Sequence, residues 1–253
     1  MLAGLLALAT TFGVVTTPVA PLRYKIEMKT SQEVDLSAMG QAKMTGDLGI
    51  VAFVSVMMSD SGAGQLAHVV VDSMTLTPTG TMAQQFDPSL GASAKGGFFH
   101  LYVVNGKVQG TPKPSMDGNL ALTSLAQAVV ILFPGNTKAG LKAGDTYSDT
   151  ATTTTTSDAG TNNTSSVTTW TVKGGAGEAM MFEGVSAGKM SMDGGANAMT
   201  GTTKGARSMT SSAKGPVKTA TLSNNVDVAV VPQGMSDAIP VKGVSSVTIT
   251  QIN

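Results

Sequence analysis

Two histidines, His68 and His100, are the side chains in this chain whose ordinary pKa suits proton transfer near neutral pH. Each sits in a strand-like run, Leu66-Ala67-His68-Val69-Val70 and Phe98-Phe99-His100-Leu101-Tyr102. Neither has a second ligand at metal-site spacing, so each reads as a histidine at a sheet face or rim. Gly184-Val185-Ser186-Ala187-Gly188 matches the G-x-S-x-G nucleophile elbow, which needs a strand before it, a helix after it, and an acid and a histidine later in the chain. Here a glycine-rich, non-helical stretch follows and both histidines lie upstream, so Ser186 reads as a small-residue kink in a strand. Ser211-Ser212-Ala213-Lys214 fits Ser-x-x-Lys, but its companion motifs are missing and it reads as a strand end.

The 16 methionines raise a different chemistry. Thioethers are soft ligands for Cu(I), and Met190 and Met192 share a strand face with Met199 close behind. The others, among them Met28, Met39, Met44, Met57, Met58, Met74, Met82, Met180 and Met181, fall mostly where a strand needs an apolar residue. With 7 Phe, 3 Tyr and 1 Trp in the whole chain, methionine also supplies missing bulk to irregular cores. The carboxylates are dispersed and the glycines cluster at turns rather than in a phosphate-cradling loop. No catalytic residue, metal ligand or cofactor is assigned, and the protein is expected not to be an enzyme.

The composition narrows the partners. The 253 residues include 42% apolar side chains, enough for a core, and only 13% charged ones, with 16 Lys plus Arg balancing 16 Asp plus Glu. A neutral surface without a basic, aromatic-interleaved stripe does not suit nucleic acid. The absence of cysteine removes disulfides, thiolate nucleophiles and an acylated lipoprotein cysteine together.

Residues 1–22 carry no charged side chain apart from the terminus, and Leu2, Leu5, Leu6, Leu8, Phe12, Val14 and Val15 give them an apolar middle. That pattern reads as a signal segment over about 1–20, with an uncleaved membrane anchor as the alternative. Either way the folded part is expected to be exported, periplasmic or secreted.

The elements behind these motifs alternate with a period of two. In Tyr24-Lys25-Ile26-Glu27-Met28-Lys29-Thr30 the apolar set and the charged set fall on opposite parities, as in a half-buried strand. Runs at 43–58 and 66–77 follow after short Gly/Ser/Asp turns and extend this into an antiparallel meander. Residues 145–157 are rich in threonine, whose branched Cβ suits a pleated strand, and they hold none of the glycine or proline of a linker. They therefore open a second meander, with Tyr147 in the part of Tyr24 and Gly175-Ala176-Gly177-Glu178 repeating the turn Gly62-Ala63-Gly64-Gln65. Between the meanders lie a hairpin turning at Asn105-Gly106 and one helix over about 119–133, capped by Asn119 and stopped by Pro134-Gly135. The fold class is mainly β: long antiparallel strands in a curved or partly closed sheet, with one central α-helix. Residues 21–253 form a single domain of two similar halves, about 23–112 and 144–253.

At Leu22–Thr30, Leu132–Thr150, Thr168–Gly174 and Val230–Thr250 the chain resembles a loosely defined group of exported bacterial β-rich proteins of unknown function. The resemblance implies a fold and an exported location, and no activity. In architecture alone, a curved sheet with a helix against it, the chain is also similar to periplasmic lipoprotein carriers and lipid-binding lipoproteins.

One helix of roughly 14 residues spans about 20 Å, less than two long meanders side by side. An apolar sheet face left open beyond it would hold a lipid or other hydrophobic molecule. Met28, Leu48, Ile50, Val54, Met74 and Leu76 are the candidate lining, with the helix around Leu125 and Val129 as lid or plug. Each of these residues also suits an ordinary core. The alternative function is a cell-surface structural or adhesive component joined through sheet edges, and the third is methionine-based Cu(I) binding. The oligomeric state is not legible.

Overall fold

The structure, a computed structural model, describes residues 20–84, 86–135, 140–157, 160–174, 179–193, 197–212 and 215–252. The candidate signal segment lies outside them except for its last residue, as does the turn 175–178. Eleven strands form one antiparallel sheet: β1 (Leu22–Val34), β2 (Met44–Ser61), β3 (Gly64–Gly80), β4 (Phe98–Val104), β5 (Lys107–Gln109), β6 (Thr146–Ser157), β7 (Gly160–Gly174), β8 (Ala179–Asp193), β9 (Asn197–Ser212), β10 (Val217–Pro232) and β11 (Ile239–Ile252). Their spatial order is β5-β4-β3-β2-β1-β11-β10-β9-β8-β7-β6. The sheet is open, with β5 and β6 at its edges. β1 to β5 run outward from the middle, and β6 to β11 run from the far edge back to it, so that β1 and β11 pair at the centre from Arg23↔Ile252 to Val34↔Val241.

Local chemistry sets the turns. Asn105 and Gly106 both take positive φ, 51° and 75°, as a two-residue hairpin between twisted strands requires, and they turn β4 into β5. The threonine-rich segment is strand β6, in register with β7 from Thr146↔Thr171 to Ser157↔Gly160. Cross-strand contacts such as Thr154 Oγ1 donating to Asn163 Oδ1 at 2.9 Å hold it there.

Between β3 and β4 lies a short helix, α1 (Ser89–Ser93), which the sequence pattern did not single out. Helix α2 (Leu120–Ile131) begins where Asn119 Oδ1 accepts hydrogen bonds from the backbone N–H groups of Ala121 and Leu122 at 3.0 and 3.1 Å. These satisfy two donors that have no partner inside the helix. Leu122, Leu125, Ala128 and Val129 are wholly buried, in one hydrophobic cluster with Tyr24, Ile26, Val54, Val69, Phe99, Trp170, Phe182 and Ile249. Burial of each large aliphatic side chain there stabilises the fold by about 1.5–3 kcal/mol.

The register makes this core a property of one sheet face. A single rung runs Tyr147–Trp170–Gly184–Arg207–Leu222–Val247–Met28–Ile50–Leu76 across nine strands. Side chains along a rung point to the same side, so both meanders contribute to the same core face.

Candidate functional site

The face opposite the core is not uniform. Across β1 it carries Arg23, Lys25, Glu27 and Lys29, as the parity of the first strand predicts. Across β7 to β11 it carries short side chains: one rung runs Thr169–Val185–Ala206–Ser223–Ser246 and the next Thr171–Glu183–Ser208–Thr221–Thr248. Strands bearing Thr, Ser, Ala and Val leave room above their backbone. A hollow of about 590 Å³ is bounded by these two rungs, with Gly184, Arg207 and Leu222 contributing from the rung between them. Its volume lies within the range of small-molecule sites, although it is an open trough and not an enclosed pocket.

Apolar groups face into this trough. Val185 is 69% exposed although it sits in the middle of a long strand. Val167 on the same face is 45% exposed, and Met181 equally so near the trough's end. Charge enters at Glu183, one rung from Val185, whose Oε2 pairs with Lys173 Nζ at 3.0 Å. Two further hollows of about 490 and 360 Å³ continue along the same face, and their walls include Lys189, Lys204, Asp227 and Lys242. Val185 therefore lies between the Lys173–Glu183 pair on one side and Lys189 and Lys204 on the other.

Beneath Gly184, on the core side, lies the indole of Trp170, whose Nε1 donates to Asp149 Oδ2 at 3.1 Å. Arg207 is the one charged residue of the core-side rung. Burial holds its guanidinium below the usual pKa, and its Nε meets no hydrogen-bond partner among the described residues.

The structure places the sequence-derived candidates elsewhere. Leu48, Ile50, Val54, Met74, Leu76, Leu125 and Val129 are buried in the hydrophobic cluster, and Met28 packs against it half-buried. They are brought together, but as parts of a core, and none of them lines the trough. The trough residues escaped the sequence reading because alternating Thr, Ser and Ala look like an ordinary wetted strand face. The exposed Val167 and Val185, on the parity of the polar positions, were the available signal.

The motifs resolve in the same way. Ser186 is buried in mid-strand β8, and a Cβ on Gly205 would run into its Oγ and into Asn224 Oδ1, so it belongs to a tightly packed row of small residues. Ser211 is fully buried near the end of β9, while Lys214 lies outside the described residues. Met192 and Met199 face each other across β8 and β9, with Met190 opposite Gly201 one step along. His68 and His100, separate in sequence, stand directly opposite each other on β3 and β4. No group of three or more His, Asp or Glu suited to a metal ion occurs among the described residues. None of their helices is long and apolar enough to cross a membrane, which says nothing of strands.

No family model matches the chain, and no curated protein matches it in sequence. Solved structures are similar at low levels. A structure of lipovitellin, described as showing lipid–protein interactions, matches with a TM-score of 0.47 and 10% identity over 94% of this chain. The chain spans only about a quarter of the lipovitellin chain's length, 25%. OpdQ of Pseudomonas aeruginosa matches with a TM-score of 0.29 and 6% identity, over 92% of this chain and 98% of that one. A mutant porin of Rh. blastica matches with a TM-score of 0.22 and 7% identity, over 92% and 100%. Likeness at this level carries no argument about activity.

Proposed function

We propose that this is a non-enzymatic exported protein that binds a hydrophobic molecule, of the class of a lipid acyl chain, in the trough across β7 to β11. The observation that carries this reading is Val185, an apolar side chain 69% exposed within this hollow, where a water-facing strand would normally carry a polar residue. Thr169, Thr171, Ala206, Thr221 and Thr248 line the rest of that surface. Export is supported by the uncharged apolar segment at 1–22.

Two measurements test it. Organic extraction of the purified protein followed by mass spectrometry is expected to release a lipid. Titration of the delipidated protein with a fluorescent fatty acid is expected to saturate, and Val185→Asp to abolish the signal while the far-UV spectrum is kept. Absence of both lipid and saturation overturns the reading.

A second reading, assembly through sheet edges, is favoured by β6. This edge strand of 12 residues pairs with β7 on one side only, and Asp149 is its sole charged residue. Natural edges of that length are usually guarded by Lys, Pro or a bulge, none of which β6 contains in its register with β7. Size-exclusion chromatography across concentrations separates the two readings: growth of the particle, lost when Thr152→Lys and Thr154→Lys are combined, supports edge assembly.

A further inference from the structure

The geometry points to a metal-binding site on the outer face of the first meander, formed by His68 and His100 with Met57 as third ligand, and suited to a copper ion. It lies on β2, β3 and β4 and does not rest on the trough reading.

The register puts the three residues in one rung. Met57 pairs with His68, and His68 pairs with His100. All three share the face opposite the core, since their chain neighbours Val56, Ala67, Val69, Phe99 and Leu101 are the buried ones. The imidazole centroids are 4.7 Å apart, inclined at 42°. Ring nitrogens reach about 2.0–2.1 Å to a late first-row metal ion, so two rings this close need only a turn about their side-chain bonds to grip one ion. His100 is exposed and free to make that turn.

Three further features suit the site to a metal rather than to a simple ring contact. Phe98 packs on both imidazoles, 5.0 Å from each, and gives the pair an apolar wall. His68 Nδ1 is shut off from solvent and meets no hydrogen-bond partner among the described residues, an unpaired position that a cation held between the rings would satisfy. Met57 is 46% exposed beside His68, and its unbranched, flexible side chain is long enough to turn toward an ion held by the imidazoles. Two imidazoles and a thioether form a donor set that favours copper, Cu(I) above all, over harder ions.

The test is a Cu(I) titration of the full chain against a chromophoric chelator, with imidazole ¹H–¹⁵N NMR on the same sample. One ion per chain is expected, with resonances of both histidines shifting on addition. His100→Gln, whose side chain is exposed and whose loss leaves the core intact, is expected to weaken binding by about ten-fold or more. Met57→Leu is expected to weaken Cu(I) while leaving Zn(II) affinity unchanged. Unchanged Cu(I) affinity in His100→Gln, shifts from fewer than both histidines, or loss of binding only in Met190→Leu combined with Met192→Leu would each overturn the proposal.

Discussion

The indole of Trp170 lies over Gly184, its cross-strand partner on β8, so closely that a Cβ on the glycine would stand 2.7 Å from the ring. The indole is held by that gap on one side and by its hydrogen bond to Asp149 on the other. Gly184→Val is therefore expected to displace the ring and destabilise the protein by about 1–3 kcal/mol, the usual penalty of overpacking. Because Trp170 is the only tryptophan, its emission reports both events: a red-shifted maximum and a lower urea midpoint are expected. An unchanged spectrum and midpoint would show that the ring does not depend on the gap.

Tyr24 is fully buried, and its hydroxyl finds no partner among the described residues. Burial pushes its pKa up to about 12. Replacing such a hydroxyl relieves an unmet hydrogen-bonding group, so Tyr24→Phe is expected to leave stability unchanged or raise it by up to about 1 kcal/mol. A clear loss in chemical denaturation would mean that the oxygen is bonded after all.

Asn119 starts helix α2 by accepting two backbone hydrogen bonds, and α2 carries the side chains that close the core. Asn119→Ala should cost about 1 kcal/mol, whereas Asn119→Ser or Asn119→Asp should cost little. Thermal unfolding of the three variants distinguishes the cap from a mere surface position, for which all three would match the wild type.

His68 has a lowered pKa in the folded protein, first through burial and second through the charge of His100. The unfolded chain thus takes up the proton more readily than the folded one. The resulting contribution to stability is present above the ordinary histidine value of 6.5 and disappears as pH falls through the lower folded value. His68→Gln should flatten the stability profile of the metal-free protein in that window. Parallel wild-type and variant profiles would exclude this source of pH dependence.

Much of the scaffold was legible in the sequence because it depends on local rules. The parity of Tyr24, Ile26 and Met28 against Lys25, Glu27 and Lys29 identified a strand and its buried face. The β-branched run at 145–157 is strand β6 from Thr146 onward, and Asn119 marked the first cap of α2. The candidate sites were less legible, since they depend on register between segments far apart. Nothing local states that His68 will stand opposite His100, because α1 and its flanking turns intervene between β3 and β4. Periodicity also says that two faces differ without saying which one a helix will cover. Met74 and Leu76 looked as ready to line a hollow as to pack a core, and the trough came instead from the small side chains on the other side.

The pairing of β1 with β11 brings the first and last strands of the sheet together in its middle. During synthesis β1 emerges from the ribosome early and must wait for β11 before its second row of backbone groups is satisfied. Until then the growing polypeptide presents bare edges at what will become its centre, so completion is a late, long-range event prone to intermolecular mistakes. A chaperone that shields β1 would serve this topology better than one that merely hastens local hairpins.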